Sequence, residues 1–270
     1  MANASSSLLD RLFSLHGKTA LVTGAGGGIG CALSVALAEA GASVALSDLT
    51  AQQLEKPRHL IEELGHQVVA LSADLRAVES CRRLVHEAHR GLGRLDVLVN
   101  CAAINRRKPI EEVTEEDFEA ITDVNLRSIY FLCQSVHPIM REQGGGKIVN
   151  VGSINAFYGL GTVSVYGATK GAIVQLTKVM AVKWASDNIQ VNCLAPGFTL
   201  TPLTKQALWD DEHRRRWLLD RIPAHRMGTP DDMIAAVLLM ISEGSSYMTG
   251  ETIVVDGGFL AGGSWERCAQ

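Results

Sequence analysis

The chain has 270 residues, 47% of them apolar and 20% charged, with a formal net charge of −4. That length and apolar share suit one large α/β domain and exclude a chain too polar to bury a core. The acidic balance argues against a nucleic-acid partner, which needs a basic stripe. No apolar run approaches the ~20 residues that span a bilayer, so no membrane partner is expected either.

The first residues, "MANASSSLLDRLFSLHGK", have no basic start before an apolar run and no cleavage site. They read as a frayed lead-in over 1–14 to a cytoplasmic protein. "TALVTG" (19–24) is the first strand. "GCALSVALAEAG" (30–41) has helical spacing and stops at Gly41. Strands at 42–48 and 67–74 flank a helix at 51–64, and a helix at 77–90 leads to the fourth strand, "LDVLVNC" (95–101). One long helix is expected over 115–142, with Thr114 as its N-cap. "GKIVNVGS" (146–153) and "IQVNCLAPG" (189–197) are strands five and six, separated by a helix over 164–186. Helices at 202–220 and 230–242 precede the last strand, "ETIVVDGG" (251–258).

Alternating β and α segments with near-continuous apolar strands imply a doubly wound α/β domain: a parallel sheet with helices on both faces. No linker, repeat or composition break divides it, so one domain is expected over 15–262, with a short tail at 263–270. Six cysteines, at 31, 81, 101, 133, 193 and 268, show no CxxC spacing and read as reduced thiols, with no metal site expected. In such folds ligands bind beyond the carboxyl ends of the strands.

The first strand runs into "GAGGGIG", where Gly24, Gly28 and Gly30 have G-x-x-x-G-x-G spacing around Ile29. Glycines there admit positive φ and let backbone N–H groups and a helix N-terminus approach a pyrophosphate. Asp48 ends strand two, where a carboxylate accepts hydrogen bonds from ribose hydroxyls and repels a 2′-phosphate. No Arg or Lys lies in 42–55. NAD is therefore expected rather than NADP. Asp74, at the end of strand three, is a candidate for the adenine edge.

Ser153 ends strand five, and Tyr166 and Lys170 follow one helical turn apart. A phenol has a reference pKa near 10, so acting as a base near neutrality takes a shift worth about 3–4 kcal/mol. One ammonium about 4 Å away supplies roughly that at an effective dielectric of about 20. Tyr166 is thus the candidate general acid/base, Lys170 the group that lowers its pKa and holds ribose, and Ser153 the donor to the substrate oxygen.

T-G-x-x-x-G-x-G, a strand-four asparagine, S-x12-Y-x3-K and a P-G after strand six together resemble the short-chain dehydrogenase/reductase family, from Leu15 to Leu260. The resemblance implies a Rossmann fold with a seven-stranded sheet, often a tetramer. It adds Asn125 as a fourth catalytic member, on a helix distorted to hold a relay water. It implies cofactor contacts from Asn100, Ala102, Pro196, Thr199 and Thr201, with Asp74 and Leu75 flanking the adenine. It also implies a variable substrate lid over about 200–226. The family reads N-N-A-G after strand four; here Ala103 replaces the glycine, and its methyl would crowd the site if the backbone needed positive φ.

"INRRKPIEEVTEEDF" and "RIPAHRMGTPDDM" resemble the sugar-acid subgroup, such as gluconate 5-dehydrogenase and 2-deoxy-D-gluconate dehydrogenase. Arg106 or Arg107 is a candidate clamp for a substrate carboxylate, and Asn155 for a polyol hydroxyl. The expected function is hydride transfer between NAD and a secondary alcohol or ketone, with a hydroxy or keto small molecule as substrate. The alternatives are a ketoreductase of acyl-carrier or steroid-like substrates and a non-catalytic dinucleotide sensor. Surplus apolar surface on the helices at 115–142 and 164–186 suits an oligomer, and a homotetramer is expected.

Overall fold

Period-two alternation within apolar runs sends side chains to both faces of one sheet. In the computed structural model, which describes residues 7–263, the strands are β1 (Thr19–Thr23), β2 (Ser43–Asp48), β3 (Val68–Ser72), β4 (Val97–Asn100), β5 (Gly146–Val151), β6 (Ile189–Pro196) and β7 (Thr252–Val255). All pair in parallel, in the order β3-β2-β1-β4-β5-β6-β7. The expected doubly wound α/β domain is present.

The helices are α1 (Leu8–Phe13), α2 (Gly28–Glu39), α3 (Ala51–Glu63), α4 (Val78–Leu92), α5 (Glu115–Thr122), α6 (Ser128–Glu142), α7 (Ser164–Trp184), α8 (Pro202–Thr204), α9 (Glu212–Arg221) and α10 (Ile234–Ile241). Leu21, Leu98, Ile148 and Val191 point to one face and pack with α4, α6 and α7 through Leu84, Leu132 and Ile173. Their neighbours Val22, Val99 and Val149 point to the other face, against Leu33, Leu37, Val237 and Met240 of α2 and α10. Each such side chain contributes about 1.5–3 kcal/mol by leaving water. Every residue of β1, β4 and β6 is buried, whereas β3 and β7, at the two edges, are partly exposed.

Three expectations need correction. The lead-in is not wholly frayed: Ser7 and Asp10 cap each other reciprocally and start α1. The helix expected over 115–142 is interrupted by a π-helical turn, Asp123–Arg127, between α5 and α6. The helix expected over 202–220 breaks into α8, a π-helical turn Lys205–Trp209, and α9. There Asp211 accepts from the Arg214 N–H at 2.9 Å and restarts the helix. Residues 1–6, most of the tail and Cys268 lie outside the described residues.

At the amino end of the sheet, Lys147 is only 9% exposed and donates to Ser245 Oγ at 3.2 Å. Burial pushes its pKa down to about 8. Burial likewise raises Cys81 to about 11 and Cys133 to about 12, so both thiols stay protonated.

Candidate active site

The strand order reverses between β1 and β4, and a cleft of about 660 Å³ opens there beyond their carboxyl ends. Gly24, Gly28, Ile29, Gly30, Asp48, Asp74, Leu75 and Ala102 all line it, as do Ser153, Tyr166, Lys170, Pro196, Thr199 and Thr201. Gly24 has φ +68°, and a Cβ there would lie 2.7 Å from Ala102 Cα. A Cβ on Gly30 would collide with the Gly24 carbonyl. The first turn of α2 therefore packs on the turn before it without side chains between, leaving its N-terminus open to the cleft. This bare cradle fits a pyrophosphate. Asp48 holds it from the side: Oδ2 accepts from Gly26 N at 3.0 Å and Oδ1 from Leu49 N at 2.8 Å.

Asp74 lines the cleft, but its carboxylate is already engaged. Arg76 donates to it from Nη2 at 2.6 Å and from Nε at 3.0 Å, and these bonds hold the Asp74 carboxyl below its usual range. Leu75 is buried beside it.

Ser153, Tyr166 and Lys170 meet at the end of β5. Lys170 is 1% exposed, donates to the Val151 carbonyl at 2.7 Å, and lies 5.4 Å from the centre of the Tyr166 ring. Ser153 Oγ accepts from Asn155 N at 3.1 Å, which fixes its rotamer. Asn125, fully buried, sits in the π-helical turn. Its side chain accepts from Ile104 N at 2.8 Å and donates to Ile104 O at 2.9 Å, so α5 and α6 hold the loop after β4 through one amide.

That loop separates the two candidate arginines. Arg106 borders the cleft, but its guanidinium pairs with Asp117 at 2.9 Å and Glu116 at 3.4 Å. Arg107 has no carboxylate partner among the described residues. Unlike Arg106, Arg107 is not among the residues lining the cleft, and it is exposed.

Two further side chains are not where the sequence reading expected them. Asn100 turns into the sheet, away from the cleft, and donates to Asn150 Oδ1 at 2.9 Å and Cys133 Sγ at 3.3 Å. Period-two alternation decides this: Val99 faces α2, so Asn100 faces α6. Asn155 does not line the cleft; it donates to the Tyr158 carbonyl at 3.2 Å and takes Ser153 Oγ at 3.4 Å. It orients Ser153, and its amide is committed to its own loop.

The family model described as enoyl-(acyl carrier protein) reductase matches residues 24–260. The chain belongs to the short-chain dehydrogenase/reductase family. It is 39% identical to 2-dehydro-3-deoxy-D-gluconate 5-dehydrogenase of Escherichia coli K12, over 92% of this chain and 98% of that protein. It is 37% identical to 5-keto-D-gluconate 5-reductase of the same organism, over 93% and 99%. The crystal structure of a gluconate 5-dehydrogenase from Burkholderia cenocepacia, in complex with NADP and tartrate, superposes with a TM-score of 0.90 at 36% identity, covering 94% of this chain and 99% of that one. This chain is accordingly an oxidoreductase acting on a CH–OH group with a nicotinamide dinucleotide.

The departure of this short-chain dehydrogenase from its family after β4 carries no strain. Ala103 is not among the residues with positive φ, so its methyl is accommodated. Cys101 borders the cleft, and burial raises its pKa to about 11. Thr201 caps α8 by accepting from Thr204 N at 3.3 Å, and Thr204 Oγ1 donates to Thr199 O at 2.6 Å, tying α8 to the segment that leaves β6. Trp209 and Trp217 pack with Phe198, Leu208, Leu218 and Phe259 in a small apolar cluster. Sequence reasoning missed Gln53 and Arg76 in the cleft. Their spacing from Asp48 and Asp74, at helix and loop starts, was the available signal.

Proposed function

We propose that this enzyme interconverts a secondary hydroxyl of a sugar acid and the corresponding ketone, with NAD as its dinucleotide. The likeness to 2-dehydro-3-deoxy-D-gluconate 5-dehydrogenase carries the sugar-acid reading, and Arg107, an exposed guanidinium without a carboxylate partner among the described residues, stands next to cleft-lining Arg106. A substrate carboxylate would complete Arg107 as a charge-assisted, bidentate pair. The relatives named for gluconate and its keto derivatives support the same class.

Bound in the cradle, the nicotinamide dinucleotide supplies hydride acceptance. Gly24, Gly28, Ile29 and Gly30 would hold its pyrophosphate, Asp48 the adenosine ribose, Asp74 and Leu75 the adenine side, and Ala102, Pro196, Thr199 and Thr201 the nicotinamide end. Ser153 Oγ donates to the substrate oxygen. Tyr166 takes the hydroxyl proton on its phenolic oxygen, with the Lys170 ammonium beside it, and Lys170 would also hold the nicotinamide ribose. Asn125 supports the return of the proton to solvent. In reduction each proton moves the other way. Asp48, with no Arg or Lys between 42 and 55, favours NAD.

Self-association as a homotetramer accounts for Val179 and Val182 of α7, exposed at 56% and 84%, and for exposed Phe118 and Tyr130. A cytoplasmic site agrees with five free thiols among the described residues.

The test is a panel of sugar acids, their alditols and sterols, each with NAD and NADP. The best sugar acid should exceed its alditol at least about tenfold in kcat/KM. Arg107→Gln should raise the acid's KM by about 10–100-fold, the loss of ~1.5–3 kcal/mol from a charged hydrogen bond, and leave the alditol unchanged. An alditol preferred over every acid removes the substrate class; NADP preferred over NAD removes the cofactor assignment.

A further inference from the structure

β7 ends at Val255, and the residues after it fold into a tight turn. Asp256 holds that turn: its Oδ1 accepts from Gly258 N at 2.8 Å and its Oδ2 from Leu260 N at 2.7 Å. Gly257, at φ +67°, lies where a Cβ would be 2.9 Å from Ile222 Cγ2, and its carbonyl accepts from Ala224 N at 3.0 Å. The turn is thus fixed against the chain that leaves α9, and it sets Phe259 where three segments meet. The Phe259 ring centre lies 5.0 Å from Tyr158, 5.1 Å from Phe198 and 6.3 Å from Trp217. The first two pairs are edge-to-face, a favoured arrangement for aromatic rings. We propose that Phe259 is a positioning residue for the reaction: through Tyr158 it fixes the turn that carries Ser153, and so the hydroxyl that meets the substrate oxygen. This inference rests on the reading of Ser153 as that donor.

Contacts run from the ring to the hydroxyl. Phe157 N and Tyr158 N both donate to Ile154 O at 2.9 Å, and Ala156 N donates to Ser153 O at 3.0 Å, so residues 153–158 form one compact turn. Asn155 spans its two ends. Its Nδ2 donates to Tyr158 O at 3.2 Å, its N–H donates to Ser153 Oγ at 3.1 Å, and its Oδ1 takes the Ser153 hydroxyl at 3.4 Å. A shift of Tyr158 therefore displaces Asn155 and with it Ser153 Oγ. One end of the turn is anchored by β5. Beyond the other end the chain passes Gly159 and Gly161, where a Cβ would meet nothing within 4 Å. The Tyr158 ring is what ties that end down, and among the described residues Phe259 is the aromatic ring it touches. Phe198 and Trp217 also touch each other, at 6.3 Å, and pack with Leu208 and Leu218, so their cluster does not need Phe259 to form. Misplacing a reacting group by about 1 Å can cost on the order of 100-fold in rate.

The test follows hydride transfer in single turnovers, by the absorbance of the reduced nicotinamide, with the best substrate of the panel. Phe259→Leu keeps an apolar side chain and removes the ring. Its rate should fall about tenfold, with dinucleotide Kd by calorimetry within twofold. Tyr158→Leu should lose the same factor, and it stands in if Phe259→Leu does not fold. The double variant should lose no more than either single one, since both break one contact. In a Ser153→Ala background, Phe259→Leu should cost less than twofold. Parental rates in both single variants overturn the inference. A tenfold loss that persists in the Ser153→Ala background means the ring acts elsewhere; the inference then falls and the reading of Ser153 survives. If Ser153→Ala itself turns over at the parental rate, that reading fails and takes this inference with it.

Discussion

In the dinucleotide half of the cleft the backbone itself makes the walls. Gly24 at φ +68° lies against Ala102, Gly30 packs on the Gly24 carbonyl, and Asp48 accepts from two backbone N–H groups. In the substrate half, side chains from distant segments hold the walls. Asn125 grips Ile104 from 21 residues away, Asp117 holds Arg106 and Lys108, and Phe198, Trp217 and Phe259 pack against α9 and the turn before it. A backbone wall tolerates almost no substitution but binds any ligand with the same shared pyrophosphate. A side-chain wall can be rebuilt, and that is where specificity for a substrate can change without disturbing cofactor binding.

The largest test of this separation is Tyr166→Phe. It should lower kcat by about 10²–10⁴-fold, the range for a lost general acid/base, while dinucleotide affinity by calorimetry stays within threefold. A variant that turns over at parental rate would remove Tyr166 from the mechanism. Next is Gly30→Ala, where overpacking of up to ~3 kcal/mol should weaken dinucleotide binding about 100-fold and leave kcat at saturation nearly unchanged. If kcat collapsed as well, the two halves would not be separable. Asp48→Ala should weaken NAD about tenfold, the loss of one charged hydrogen-bond acceptor, and narrow the gap to NADP.

The smallest effect lies outside both halves, at the far end of the sheet. Lys147 has a pKa near 8 when folded and about 10.4 when unfolded, so the unfolded chain binds its proton more tightly. The cost of burying the ammonium is present below pH 8 and disappears as pH rises from 8 to about 10.4, so this group makes stability rise with pH in that window. Lys147→Met should stabilise the protein below pH 8, by at most ~3 kcal/mol, and abolish that rise in denaturant melts. Ser245 Oγ would keep its bonds to Met240 O and Ser242 O. Kinetics at saturating substrates should not change.

Strand and helix placement was legible because apolar period and glycine stops act locally: β1, β2, β4 and β6 fall within two residues of their expected bounds. The π-helical turn was not legible from local sequence. Asn125 is only a mildly unfavourable helix residue, and what stabilises the distortion is its double bond to Ile104 on another segment. Asn100 misled for a similar reason. Its place at the end of β4 was right, but the parity of the strand, set by which of its neighbours face α2, sends its amide into the core. For Arg106 and Arg107 the sequence offered two equivalent cations, and Asp117, ten residues on, distinguishes them.

The sequence by itself determined the parallel sheet, the glycine cradle and the one-turn spacing of Tyr166 and Lys170, because hydrophobic period, backbone φ and helical pitch are properties of adjacent residues. The tertiary structure alone decided which arginine lacks a partner, where Asn100 and Asn155 point and how the helical segment over 202–221 breaks, because ion pairing and burial depend on groups that only folding brings together.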